Sequence, residues 1–223
     1  MFATSLFIVL LSGAVVIAAF AVLIVVLVRH RQDQLRRRAA EAAQLGWFPV
    51  PPNPWLIEVA ARLFQRGRPA EMFAGDFRDR GMCVLEYTYT TSSGSNGQTQ
   101  NHTVHVVALN LPVALPPLTL TKDSGLKRMF GGRDLELESK AFNDAFRISC
   151  ADERYASAVL HPRMMEWMLF NRGLEWQFAG NALVSWGHGS FTVRDVLARL
   201  EAMNGLIDRI PPYVLRDYGQ TTY

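Results

Sequence analysis

Apolar residues run from Leu6 to Val28, broken only by Ser12 and Gly13, and the chain then turns abruptly basic. At the ~1.5 Å rise of an α-helix such a run reaches roughly 34 Å, enough for a hydrocarbon core of about 30 Å. The pattern predicts a transmembrane helix over 6–28, preceded by a short external N-terminus, 1–5. Strong helix formers continue to Leu45 and Gly46 supplies a stop, so a basic juxtamembrane helix is expected over 29–46. Pro49, Pro51 and Pro52 then make 47–52 a stiff, extended linker.

Beyond the linker the periodicity alternates between helix and strand. Asn53-Pro54 is a helix start and Gly67 a matching stop, with Trp55, Leu56, Val59, Leu63 and Phe64 at helical spacing. From Met82 to Thr91 the period becomes two, placing Cys83, Leu85, Tyr87 and Tyr89 on one face. Ser92 to Gly97 is a loop and His102 to Leu111 a second strand, giving an antiparallel hairpin. Leu118 to Lys122 is expected as an edge strand after three prolines, Asp123 to Asp134 as a loop, and Phe146 to Cys150 as a short strand. Helices are expected at Glu153–Val159 and Pro162–Phe170. Gly180-Asn181 looks like the turn of a second hairpin between Leu174–Phe178 and Leu183–Trp186. Thr192 can cap a last helix with Asp195 three residues on. Its buried stripe is Val193, Val196, Leu197, Leu200, Met203, Ile207 and Ile210, and Pro211-Pro212 ends it. Strands and helices do not alternate regularly, so 53–223 is expected to be one α+β domain, an antiparallel sheet packed by helices.

Charge changes how the span is oriented. Residues 29–38 hold five arginines, Arg29, Arg31, Arg36, Arg37 and Arg38, against Asp33 alone. That local +4 exceeds the formal net charge of +3, so the rest of the chain carries −1. Basic residues beside a span stay on the cytoplasmic side, which puts the N-terminus outside and the domain in the cytoplasm. The run has no basic lead-in and no small-residue cleavage site, so it is expected to remain as an anchor rather than be removed as a signal peptide. Because the basicity sits beside the membrane and not on the fold, it suits anionic lipid headgroups and argues against nucleic acid as a partner. Ala14 and Ala18 give a small-residue spacing suited to close helix packing and self-association.

The segment Leu137-Glu138-Ser139, Phe142-Asn143, Phe146 and Ile148, followed by Asp152, Ala156, Leu160 and Pro162, resembles an uncharacterised bacterial family of membrane-anchored proteins known only as a domain of unknown function. The resemblance covers about the second half of the domain and rests on residues of structural type. It implies a bacterial cell membrane as the setting and transfers no activity and no catalytic residue.

Chemistry is sparse. His102 and His105 lie three apart on a strand and so point to opposite faces, which denies one metal ion both rings. His188, between Gly187 and Gly189, is expected in a turn. Cys150, Asp152 and His161 are the one set that could be assembled into nucleophilic catalysis. The simpler assignments are a buried strand end for Cys150, a helix cap for Asp152 and a helix start for His161. Cys83 and Cys150 are too few for a disulfide framework, although a bridge between them stays open. Gly131-Gly132-Arg133 lacks the flanking residues of a phosphate loop.

Lys122, Leu126, Lys127, Arg128, Met129, Phe130 and Arg133 form an apolar tip with a basic rim, a candidate interaction loop for an anionic leaflet or a protein. The leading expectation is therefore a non-enzymatic, single-span protein whose cytoplasmic domain binds another protein, as an accessory subunit of a membrane complex. The alternative is a lipid or small-ligand binder at the membrane surface, using that loop with Arg62, Arg66 and Arg68, and the third is a Cys/His enzyme. No cofactor and no metal is expected.

Overall fold

Gly46 marks the boundary that organises the fold. In the computed structural model, which describes the backbone of residues 2–93, 98–122 and 133–220 and the side chains of these except 2–19, 93, 98, 133 and 134, it lies at φ +76°. That left-handed conformation suits the residue just past a helix end. Helix α1, Phe2–Gln44, stops there, and backbone contacts divide the chain into Met1–Leu45 and Gly46–Tyr223. The helix is continuous through the five arginines; Arg29, Arg31, Arg36 and Arg37 are exposed and Arg38 is half-buried. Among the described residues no helix is long and apolar enough to cross a membrane; the side chains of 6–19 lie outside those residues.

The second unit is a mixed α+β domain with one eight-stranded sheet in the order β1-β2-β3-β4-β8-β5-β7-β6. Its strands are β1 (Phe48–Pro49), β2 (Gly67–Phe77), β3 (Arg80–Ser93), β4 (Gln98–Leu115), β5 (Leu118–Thr121), β6 (Arg133–Leu135), β7 (Arg147–Cys150) and β8 (Trp176–His188), and each pairing is antiparallel. The helices are α2 (Pro54–Leu63), α3 (Lys140–Ala145), α4 (Glu153–Val159), α5 (Pro162–Phe170), α6 (Val193–Ile207) and α7 (Pro212–Tyr218).

Local chemistry explains most starts. The Asn53 side chain accepts from the Trp55 amide and Pro54 needs no donor, opening α2. Asp152 accepts from the amides of Arg154 and Tyr155, and Thr192 with Asp195 forms a full capping box at α6. On β3 the face holding Leu85 and Tyr87 is buried beneath Leu56, Val59, Ala60 and Leu63 of α2, together with Val104, Val106 and Ala108 of β4. The opposite sheet face is covered by α6, which packs on β4 and β8.

Several expectations are corrected. The linker is part of the sheet: Trp47 is buried and Phe48–Pro49 pairs with β2, a short edge where proline's missing donor does no harm. Gly67 does not stop α2, which ends at Leu63; it opens β2. β5 is not at an edge but lies between β7 and β8 with all four residues buried. Gly180-Asn181 makes no hairpin. Gly180, at φ +61°, sits within one long strand that pairs with β5 at Trp176–Gln177 and with β4 from Ala182 to His188. His188 accordingly ends β8 instead of lying in a turn. Part of the expected 123–134 loop is strand, because Arg133 and Asp134 pair with β7. α6 ends at Ile207 with Asp208 as its C-cap, so Ile210 lies beyond it, and Pro211-Pro212 opens α7 instead of ending α6.

Candidate functional site

Two cavities in the domain differ in chemistry. The first, of about 460 Å³, lies among α2, the Pro116-Pro117 corner, β7, α4 and the Phe178–Gly180 part of β8. Its walls are largely apolar, with Trp55, Val59, Tyr155 and Phe178, and Arg62 also lines it. Trp55 is one of the exposed large apolar residues of the domain, because α2 turns Leu56, Val59, Ala60 and Leu63 to the sheet and leaves position 55 outward. Arg62 pairs with Glu58 one turn earlier.

Cys150 and Asp152 also line this cleft, but they do not assemble with His161 into a catalytic set. The Cys150 thiol is directed at the carbonyls of Asp152 (3.3 Å) and Pro117 (3.6 Å), and burial pushes its pKa up, against thiolate formation. His161 has both ring nitrogens occupied: Nδ1 accepts from the Met164 amide as the α5 cap, and Nε2 donates to the Arg209 carbonyl at 3.2 Å. Asp152 is engaged as the cap of α4. Cys83 and Cys150 are both free thiols, and burial raises Cys83 to about 11.

The second cavity, about 560 Å³, opens on the face covered by α6 and is lined by His105, Phe170, Asn171, Gly187, His188, Asp195 and Arg199, among others. Sheet register builds it. Glu86, His105 and Gly187 are direct cross-strand neighbours on β3, β4 and β8. Gly187 lacks the side chain that would close the floor: a Cβ there would stand 2.5 Å from His105 Nε2 and 2.8 Å from Arg199 Nη2. Arg199 reaches in from α6 and donates from Nη1 to Ser185 Oγ at 2.8 Å, and Ser185 in turn donates to the Glu175 carbonyl. Its Nε is buried with no partner.

His105 is 4% exposed, and its Nδ1 lies 3.0 Å from the Gly189 carbonyl. A carbonyl only accepts, so Nδ1 carries the proton; in the neutral ring Nε2 is then a bare lone pair, and it is buried without a partner. Burial lowers the His105 pKa, opposed by the Gly189 hydrogen bond; Arg199 lowers it further while Asp195 and Glu86 raise it. Burial also lowers Arg199, against Glu175 and Asp195. The unfolded chain therefore takes up a proton at this position before the folded one does. Folding stability is full above the ordinary value of 6.5 and falls as pH drops below it. Thermal midpoints at about pH 7.5 and about pH 5.5 should differ more in the wild type than in His105→Phe.

The expected interaction loop is only partly accounted for. Lys122 is exposed, with its amide donating to Glu175 Oε1, and Arg133 heads β6; Leu126, Lys127, Arg128, Met129 and Phe130 lie outside the described residues. Arg62, Arg66 and Arg68 do not converge, because Arg62 lines the apolar cleft and the other two line a groove with Tyr89 and Asn101. The two strand histidines do separate. His102 stacks on Tyr89 and bonds Thr91, while His105 points inward. Among the described residues no group of His, Cys, Asp and Glu could hold a metal ion. Arg199 was not singled out by sequence, although its phase gives a signal: it falls three residues after Val196 and four before Met203, on the apolar stripe.

No family model and no curated protein matches the chain. That outcome is consistent with the weak resemblance of residues 137–162 to an uncharacterised family. Among solved structures, the fold is similar to the crystal structure of the mycobacterial trehalose monomycolate transport factor A, TtfA, with a TM-score of 0.56 at 12% identity, over 84% of this chain and 97% of that one.

Proposed function

We propose that the chain is a non-enzymatic, single-span protein of the bacterial cell membrane, anchored by residues 6–28, whose α+β domain faces the cytoplasm and binds a lipid. The observation that carries the lipid reading is the apolar cleft between Trp55 and Phe178 with Arg62 on its wall. Apolar walls with the Arg62 guanidinium at their edge suit an acyl chain and an anionic head. The anchor is supported by α1 itself: from Phe20 to Val28 each residue is apolar and exposed, Phe20 at 63% and Leu27 at 58%. A helix apolar on all sides has no face to give to water, and lipid is the solvent that suits it. The arginines that follow, Arg29 to Arg38, supply the cytoplasmic-side charge and a contact for anionic headgroups.

The fold it shares with a trehalose monomycolate transport factor is in keeping with a lipid ligand. A second reading, an accessory subunit docked on another membrane protein, is favoured by that neighbour's designation as a transport factor. One experiment separates them. The full chain is extracted gently from its native membrane and its co-purifying lipids and proteins are quantified. Trp55→Glu removes an apolar wall worth about 1.5–3 kcal/mol and is expected to reduce bound lipid by about tenfold or more. Unchanged lipid content would sink the cleft as the lipid site, and a stoichiometric protein retained by both forms would favour the accessory reading.

A further inference from the structure

The cavity on the α6 face has a donor and acceptor pattern that the lipid cleft lacks, and it stands on observations separate from that cleft. We propose that the His105–Arg199 cavity is a binding site for a neutral polyhydroxylated molecule, a free sugar or the sugar head of a glycolipid. The tautomer supports this class. With Nδ1–H committed to the Gly189 carbonyl, the buried Nε2 presents a lone pair that only an incoming O–H or N–H can satisfy. A few tenths of a nanometre away Arg199 presents guanidinium nitrogens, which only donate; both groups converge on the space that a side chain at Gly187 would fill. A hydroxyl both donates and accepts, so adjacent hydroxyls on one ring meet these two needs together.

An oxyanion fits less well. A carboxylate or sulfate has no proton to offer Nε2 at neutral pH, and any oxyanion, phosphate included, would meet carboxylates as well as cations. Asp195 of α6 lines the cavity, and Glu86 of β3 lies directly across from His105. Asp195, beyond its role in the cap, adds a further hydroxyl acceptor, and Asn171 offers both a donor and an acceptor. At the mouth Phe170 is 90% exposed, an aromatic face against which the C–H side of a sugar ring can pack. An opening of about 560 Å³ takes one or two such rings.

The test uses the full chain in nanodiscs of phosphatidylglycerol, free of sugar-headed detergent, with ¹⁵N-labelled histidine. The His105 Nε2 resonance is followed on addition of glucose, maltose or inorganic phosphate, and in discs containing a monoglucosyl lipid. A saturable shift of the lone-pair signal with a free sugar, or in the glucosyl-lipid discs alone, is the expected result, and the second case identifies the source as a lipid head. Arg199→Met should weaken that response at least tenfold and Arg199→Lys should retain part of it, in chains whose other histidine signals are unchanged. Response to phosphate alone, with protonation of Nε2, would overturn the proposal in favour of an oxyanion site. No response to any sugar probe would overturn it as well. Because Trp55→Glu leaves this cavity untouched, loss of lipid from the cleft and loss of the sugar response fail independently.

Discussion

Trp176→Ala is expected to destabilise the domain by about 3–5 kcal/mol, the range for deleting a large buried aromatic side chain. Trp176 has no exposed surface, and its ring lies 4.9 Å from that of Phe178. It also occupies the point at which β8 pairs with Leu120 of β5, just before the strand passes Gly180 and joins β4. A cavity there loosens packing on both halves of the sheet. Against a total stability of about 5–15 kcal/mol, the loss threatens the fold itself. The contrast with phenylalanine is the sharper test. Trp176 Nε1 is buried without a hydrogen-bond partner, so Trp176→Phe removes volume and an unpaired donor together. The two effects oppose each other, and the cost is expected to stay within about 1.5 kcal/mol. Denaturant midpoints of the full chain decide it. A phenylalanine variant as weak as the alanine one would mean that the indole N–H is bonded in solution.

Where local chemistry was decisive, sequence and structure coincide. Asn53-Pro54, Asp152 and Thr192 with Asp195 each announced a helix start, because a cap needs only the next three residues. Alternation at Cys83, Leu85, Tyr87 and Tyr89 and a wealth of β-formers announced β3, although both faces are covered: Leu85 and Tyr87 are buried on one, Met82, Val84 and Glu86 on the other. Legibility ended where tertiary contacts set the conformation. β2 carries Pro69 at a register shift and buries little beyond Met72 and Phe73, so it has no period of two to find. Its turn into β3 uses Arg78 and Asp79 at positive φ, without the glycine that normally signals such a turn. Arg78 there pairs with Glu201 and Arg80 with Asp208, both held by α6, more than a hundred residues along the chain. Tertiary pairing of this kind offsets local cost and leaves no trace in a short window.

The same division runs through the candidate sites. The spacing of His102 and His105 puts them on opposite faces without saying which is inward; that His105 is the buried one, and its significance, depend on Gly189, Gly187 and Arg199, which reach it from more than eighty residues away. Cys150, Asp152 and His161 show the reverse. They are close in sequence, which invites a shared role, yet the carbonyls of Pro117 and Arg209 and the caps of two helices claim each of them separately. Proximity along the chain was the weaker guide, because hydrogen-bonding capacity is spent first on backbone groups that must be satisfied when buried.

Gly67→Ala is expected to destabilise the domain by about 1–3 kcal/mol or more, although the residue has ordinary backbone angles and stands at the surface. The cause is contact with backbone. A Cβ at this position would overlap the Thr88 carbonyl oxygen and come within 2.9 Å of the Tyr89 Cβ, on the strand it pairs with. Neither neighbour is the free end of a side chain, so relief requires β2 to move away from β3. That movement would also draw on the bond from the Tyr87 hydroxyl to the Gln65 carbonyl, which ties the end of α2 to the sheet at 2.9 Å. Exposure alone would forecast a change within about 0.5 kcal/mol, and the helix-stop assignment would forecast as little, because Gly46 and not Gly67 has the left-handed angle that a stop requires. Hydrogen exchange provides the readout. Gly67→Ala should lower protection along Gly67–Phe77 and its β3 partners while leaving β7 amides protected, whereas a uniform loss would point to a global effect and an unchanged pattern would show that the strands can part without cost.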